Sequence, residues 1–239
     1  MAYELISFSD EAALAEAAAA RWLDAIEGAG DRPFCVALSG GRITRRLFAA
    51  VVAQARLRKT EWGRVRFFWA DERCVPADHP ESNYKNARHD LLLPLGIPDA
   101  HVHRIPGELL PRQAAAWATS DLQRWVSENK AGVPILDLVL LGMGEDGHVA
   151  SLFPGGPVTV SDNSAIYVAI EGAPKQPPQR VTLGYAPILA AHDVWVLVSG
   201  AGKEPAFAES LKPDGLTSLA HVLRGRSRTL VFSDIGLST

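Results

Sequence analysis

LDLVLLGMGEDGH, residues 136–148, is an apolar run that gives way to three glycines in six residues, two acids and a histidine. A short continuous apolar run of this kind is what a strand covered on both faces shows. Working outward, FCVALSGG at residues 34–41, VRFFWADER at 65–73 and VWVLVSGAGK at 194–203 repeat the pattern. Together they predict strands over residues 34–38, 65–70, 136–141 and 194–199, with a last short strand at 229–232. Helices are predicted between them: over residues 10–27, with Ser9 as N-cap and Gly28 and Gly30 as the stop, then over 44–57, 83–93, 112–130 and 203–211. Alternation at this spacing predicts an α/β fold, a mostly parallel sheet with helices on both faces. Ligands of such sheets bind outside the carboxyl ends of the strands, so the loops that follow the strands are where chemistry is sought.

The 239 residues are enough to bury one large core and are read as a single domain spanning residues 1–239. With 47% hydrophobic and 21% charged residues, the composition is that of an ordinary globular protein and excludes disordered or fibrous classes. A net charge of −3, with arginines scattered among acids, leaves no electrostatic footprint for nucleic acid. Cys35 and Cys74 form no CxxC or Cys/His spacing, which argues against a disulfide framework or a zinc site. The opening segment mixes acids into an alanine run, unlike a signal peptide, and no uncharged apolar stretch approaches about 18 residues. A cytoplasmic protein is expected, a monomer or small homo-oligomer with neither membrane nor nucleic-acid partners.

Four strand-end loops carry chemistry. Ser39-Gly40-Gly41, between a strand and a helix, suits an anion, because glycines let backbone N–H groups converge and the helix presents its positive end. An ordinary glycine turn is the alternative. Asp71-Glu72-Arg73 puts two acids and an arginine at a strand end, suited to bind a sugar hydroxyl, take a proton or grip a phosphate bidentately. It reads equally well as a solvated turn before a helix capped by Ser82 or Asn83. The segment 142–148 is the densest candidate, since its glycines bring Asp146 and His148 to one strand end. Histidine is the usual base near neutral pH, and a carboxylate orients its ring. The histidines at 79, 89, 101, 103, 192 and 221 are read as surface or structural residues. Lys175 and Arg180 bracket a proline-rich loop at residues 173–179, and Lys203 follows Gly200-Ala201-Gly202 at a helix start. A cation there is unfavourable unless an anion such as phosphate comes to it. Ser39-Gly40-Gly41 does not match GxGxxG or the Walker P-loop, and no HExxH or GxSxG pattern occurs, so no cofactor, metal or serine nucleophile is expected.

FFWADERCVPADHPESNYKNAR, LDLVLLGMGEDGHVASLFPG and APKQPPQRVTLGYAPILAAHDVWVLVSGAGKEPA together resemble the 6-phosphogluconolactonases, in the right order over most of the chain. That family is related in fold to glucosamine-6-phosphate deaminases, which implies a modified Rossmann-like sheet. The resemblance implies hydrolysis of 6-phospho-D-glucono-1,5-lactone, a phosphorylated sugar lactone of the oxidative pentose phosphate pathway. His148 matches the family's base with Asp146 beside it, and Ser39, Gly40, Gly41, Arg73, Arg180 and Lys203 match positions lining the sugar-phosphate site, where Asp71 and Arg42 are also expected. The chain departs from the family in two places. SGGSTP appears as Ser39-Gly40-Gly41-Arg42-Ile43-Thr44, where Arg42 or Thr44 is expected to compensate for two lost hydroxyls, and the threonine after DGH is Val149. Two rivals remain: an amino-sugar-phosphate isomerase/deaminase with Asp71 as base, and a non-enzymatic sugar-phosphate sensor, which the lack of a basic helix disfavours.

Overall fold

The computed structural model describes residues 3–156 and 164–236. Its strands are β1 (Glu4–Ser7), β2 (Phe34–Leu38), β3 (Val65–Trp69), β4 (Asp71–Arg73), β5 (Leu138–Gly142), β6 (Tyr167–Ile170), β7 (Arg180–Leu183), β8 (Asp193–Val198) and β9 (Leu230–Ser233). Its α-helices are α1 (Glu11–Gly28), α2 (Arg42–Arg58), α3 (Asn83–Ala87), α4 (Pro111–Trp125), α5 (Tyr185–Ala190), α6 (Glu204–Ser210) and α7 (Ser218–Gly225). Six strands form one parallel sheet in the order β1-β9-β8-β5-β2-β3. The α/β fold with its mostly parallel sheet is as the alternation of elements predicts.

The apolar runs become strands because they are covered on both sides. Every residue of β2 is buried, as are four of the five in β5. On α1, Leu14, Ala18, Trp22 and Leu23 face inward, and on the adjoining α2 so do Leu47, Phe48 and Val51. Each of the large side chains among them contributes roughly 1.5–3 kcal/mol by leaving water.

Several boundaries differ from expectation. Asp10, not Ser9, caps α1: its carboxylate accepts from the N–H groups of Ala12 (3.0 Å) and Ala13 (2.9 Å), and Ser9 donates to it. The strand expected from residue 136 begins at Leu138 because Asp137 anchors the strand entrance, accepting from the Cys35 N–H (2.7 Å) and pairing with Arg32. The expected helix 112–130 ends at Trp125, and the helix expected over 83–93 is α3 followed by one π-helical turn, Arg88–Leu92. A second sheet, the antiparallel β4-β7-β6, was not expected, nor were β1, α5 and α7.

Chain order and sheet order together locate the crevice. From β2 the chain steps outward to β3, whereas from β5 it steps the other way, to β8 and then β9. The direction reverses between β2 and β5, whose register pairs Val36 with Leu138 and Ala37 with Val139. Right-handed crossovers set α1 and α2 on one face of the sheet and α6 and α7 on the other. The loops leaving β2 and β5 therefore diverge, and a cleft opens at their carboxyl ends.

Candidate active site

A cleft of about 440 Å³ lies at this point, walled by the loops after β2, β5 and β8 and by β4 and β7. Ser39, Gly40, Gly41, Arg42, Asp71, Arg73, His148, Arg180 and Lys203 all line it. Asp146 does not; it stands behind His148.

The loop after β5 is built around the histidine ring. Gly144 donates its N–H to the carbonyl of His148 (2.9 Å), and the Gly147 N–H donates to the Gly144 carbonyl (3.0 Å). The ring lies so close over the backbone that a Cβ at Gly144 would sit 2.2 Å from His148 Nδ1. From the far side, α7 docks on the loop, with the Leu219 N–H donating to the Gly147 carbonyl (3.1 Å). Asp146 Oδ1 accepts the Nδ1 proton of His148 and also lies 3.4 Å from the His148 backbone nitrogen. Nδ1 being the donor, neutral His148 keeps its Nε2 lone pair free. Phe153 flanks the ring at 4.6 Å between centroids. Burial lowers the pKa of His148, and the hydrogen bond and charge of Asp146 only partly oppose it. Burial is the largest single influence on Asp146 and raises its pKa, but the His148 hydrogen bonds and the charges of His148 and Lys175 together outweigh it and hold the carboxyl below its usual range. The result is an ionised acid orienting a neutral imidazole.

On the β2 side, α2 begins at Gly41 with no side-chain cap, so its first N–H groups face the cleft. Ser39 is buried, and among the described residues its hydroxyl has no hydrogen-bond partner. Gly40 is pressed against Asn83, whose Oδ1 would be 1.9 Å from a Cβ at that position. The two departures from the family pattern resolve differently. Thr44 is buried and donates its hydroxyl to the Gly40 carbonyl (3.1 Å), so it offers nothing to the cleft. Arg42 reaches the cleft, and among the described residues its one ion pair is with Glu11, at 3.7 Å. Val149 is wholly buried in the core. Lys203 caps α6 at the opposite wall, and burial, followed by the charge of Arg42, pushes its pKa down. Among the described residues it has no carboxylate within ion-pair distance.

The charged turn expected at residues 71–73 is strand β4, pairing Arg73 with Arg180 on β7. Alternation along a strand then separates its side chains. Asp71 and Arg73 line the cleft, whereas Glu72 points away and accepts from the N–H groups of Arg73, Asn83 and Tyr84 and from the Ser82 hydroxyl, at 2.7–3.0 Å. Burial pushes its pKa up to about 7 against these four donors. Glu72 is an anchor for the start of α3, which Ser82 caps by accepting from the Lys85 N–H. Asp71 is buried, accepting from Ser151 Oγ (2.7 Å) and from Asn83 Nδ2 (3.3 Å).

Arg180 was expected to flank a loop; it opens a strand and is largely committed. Four of its five N–H donors are engaged, on the carbonyls of Lys175, Gln176 and Pro177 and on Ser151 Oγ. Arg73 donates through Nη1 to the carbonyl and carboxylate of Glu81, and its buried Nε has no partner among the described residues. The uncommitted donors at the cleft are thus those of Arg42, Arg73, Lys203, Ser39 and the start of α2. The sequence suggests Asn83 only as a helix cap and Ser199 only as a strand end, and it gives Ser151 no role. Asn83 and Ser199 line the cleft, while Ser151 bridges Asp71 and Arg180 from behind. Asn83 in the segment FFWADERCVPADHPESNYKNAR and Ser151 in LDLVLLGMGEDGHVASLFPG lie within the stretches that carry the family resemblance, which is the available signal for both. Among the described residues, no group of three or more His, Cys, Asp or Glu side chains is gathered as a metal site would need, and no helix is long and apolar enough to cross a membrane.

The sequence model of the glucosamine-6-phosphate isomerases/6-phosphogluconolactonase family matches residues 9–231. The 6-phosphogluconolactonase of Streptomyces coelicolor is 36% identical over 240 residues, covering 97% of this chain and 92% of that protein. Among solved structures, 6-phosphogluconolactonase from Trypanosoma brucei superposes with a TM-score of 0.84 at 28% identity, over 96% of this chain and 95% of that one. A monomeric glucosamine-6-phosphate deaminase shares the fold, with a TM-score of 0.75 at 16% identity over 98% and 97% of the two chains.

Proposed function

Since the chain belongs to the glucosamine-6-phosphate isomerase/6-phosphogluconolactonase family, we infer from that membership its reaction and the division of labour in its cleft. It hydrolyses 6-phospho-D-glucono-1,5-lactone to 6-phosphogluconate, the lactone-opening step of the oxidative pentose phosphate pathway, as a carboxylic ester hydrolase. Neutral His148 takes a proton through Nε2 from a water attacking C1, and Asp146 holds the ring and stabilises the imidazolium that forms. The C1 carbonyl becomes an oxyanion held by backbone N–H groups, and protonated His148 then returns the proton to the departing ring oxygen. No covalent intermediate is needed. Remote from C1, Lys203, Arg42, Ser39, Gly40 and Gly41 receive the phosphate, with Arg73 on the facing wall. Arg180 and Asp71 shape the floor, and binding there orients the lactone for attack.

The observation that carries this reading is that a neutral histidine, oriented by an ionised acid behind it, lines the same cleft as the uncapped start of α2, Arg42 and Lys203, which among the described residues has no carboxylate within ion-pair distance. The test is an assay of purified protein with freshly generated 6-phosphogluconolactone, spontaneous hydrolysis subtracted. Acceleration that His148→Ala abolishes supports it; release of ammonia from an amino-sugar phosphate without lactone hydrolysis overturns it. The reading extends to a cytoplasmic enzyme, a single domain and a monomer or small homo-oligomer, working without cofactor or metal. Its two free cysteines fit a reducing compartment.

A further inference from the structure

The loop between β6 and β7 carries a cation that the cleft does not account for. Its backbone is held at several points: the Ala173 N–H donates to the Pro178 carbonyl (2.9 Å) and the Cys74 N–H to the Gln179 carbonyl (2.9 Å). Between them, the Arg180 guanidinium grips the carbonyls of Lys175 (3.1 Å), Gln176 (3.2 Å) and Pro177 (2.9 Å). A proline-rich segment fixed in this way holds its one charged side chain in a defined place. The Lys175 ammonium lies 3.9 Å from Asp146 Oδ1, the same oxygen that accepts the His148 Nδ1 proton.

We propose that Lys175 is a positioning residue of the base, sharing the Asp146 carboxylate with His148 so that the acid orients the ring without drawing a permanent proton onto it. The proposal rests on His148 being the base. A lone carboxylate against an imidazole both aligns it and favours its cation, and a base that is already protonated cannot activate water. An ammonium on the same oxygen weakens the second effect and leaves the first in place. The charged groups facing His148 are Asp146 on its own loop, Lys175 from the loop before β7 and Asp71 on β4; Phe153 and Gly144 are its uncharged neighbours. The two acids favour the imidazolium, while Lys175 and burial oppose it. Lys175 is 43% exposed and Asp146 37%, so solvent screens the effect and a modest shift is expected.

The experiment is the pH dependence of kcat/KM for the wild type, Lys175→Met, which keeps the stem and loses the charge, and Lys175→Arg, which keeps the charge. The His148 ring of each ligand-free protein is titrated in parallel by NMR. Lys175→Met should move the acid limb and the ring titration up together by roughly 0.3–1 pH unit, within the reach of one partly screened charge. Activity near pH 5.5 then falls by about 2–10-fold while the alkaline plateau changes little. Lys175→Arg should restore both. Coincident wild-type and Lys175→Met titrations overturn the proposal, as does an equal loss at every pH, which is what loosening the loop alone produces. A wild-type profile with no acid limb, together with full activity of His148→Gln, removes the base itself and the proposal with it.

Discussion

Gly144→Ala isolates the contact between the base and the backbone beneath it. Gly144 does not sit at a positive φ, so alanine brings no backbone strain there. What it brings is a Cβ 2.1 Å from His148 Cε1, 2.2 Å from Nδ1 and 2.8 Å from Asp146 Oδ1, where an ordinary contact begins near 3.4 Å. The ring must retreat by more than about 1 Å, and a displacement of that size at a reacting group costs on the order of 10²-fold. Because the same movement breaks the Asp146 bond, kcat should fall by roughly 10²–10⁴-fold, as in losing the base. The overpacking itself should cost about 1–3 kcal/mol of stability. Gly63→Ala, whose added Cβ would meet nothing within 4 Å, serves as the control. Steady-state kinetics on the phosphorylated lactone and urea unfolding of both variants decide the matter. If Gly144→Ala turns over like the wild type while folded, His148 does not act from the position described.

His148→Ala should leave the unfolding midpoint nearly unchanged and lower kcat by roughly 10²–10⁴-fold. In the wild type, burial holds the His148 pKa below its ordinary value of 6.5, so the proton-accepting form persists to lower pH; the inflection of kcat/KM should fall on the acid side of 6.5, with activity lost below it. Lys203→Ala should reduce kcat/KM for the phosphorylated lactone by about 10–150-fold, the loss of one charge-assisted hydrogen bond, with far less effect on unphosphorylated gluconolactone. Equal losses on both would place Lys203 in the fold or the lactone chemistry. Glu72→Gln puts an amide N–H₂ among four donors that all need an acceptor, which should cost about 1–3 kcal/mol in urea unfolding.

What the sequence made legible follows from where its signals were local. β2, β3, β5 and β8 could be read because each is an apolar run followed by a loop of small or charged residues, and so could the two loops that meet at the chain reversal. The second sheet was illegible because β4 is three charged or polar residues and β7 begins with an arginine; neither resembles a strand until it is paired with the other. The same omission left nothing in the local residues to separate Asp71 from Glu72, and only the family resemblance singled out Asp71. Once β4 is a strand, alternation sends one acid to the cleft and the other to the start of α3. Asp137 was hidden inside an apolar run, since its partner, the Cys35 N–H, lies 102 residues away in sequence. Asp146, by contrast, was found beside His148 because the two are neighbours in both sequence and space.

β1 has one partner in the main sheet, β9, and their register joins Glu4 to Leu230. During vectorial synthesis the first strand therefore leaves the ribosome well before the strand that will hold it. Until then its amides face water and α1, which packs on both α2 and β9, lacks the second of these supports. Closing a loop of this length costs more conformational entropy than closing any of the local βαβ units, and sheets sealed by such distant pairings assemble slowly. The edge of the sheet is thus a late seam. A nascent or partly unfolded chain would expose an unpaired strand there, the part of this molecule most in need of a chaperone's cover.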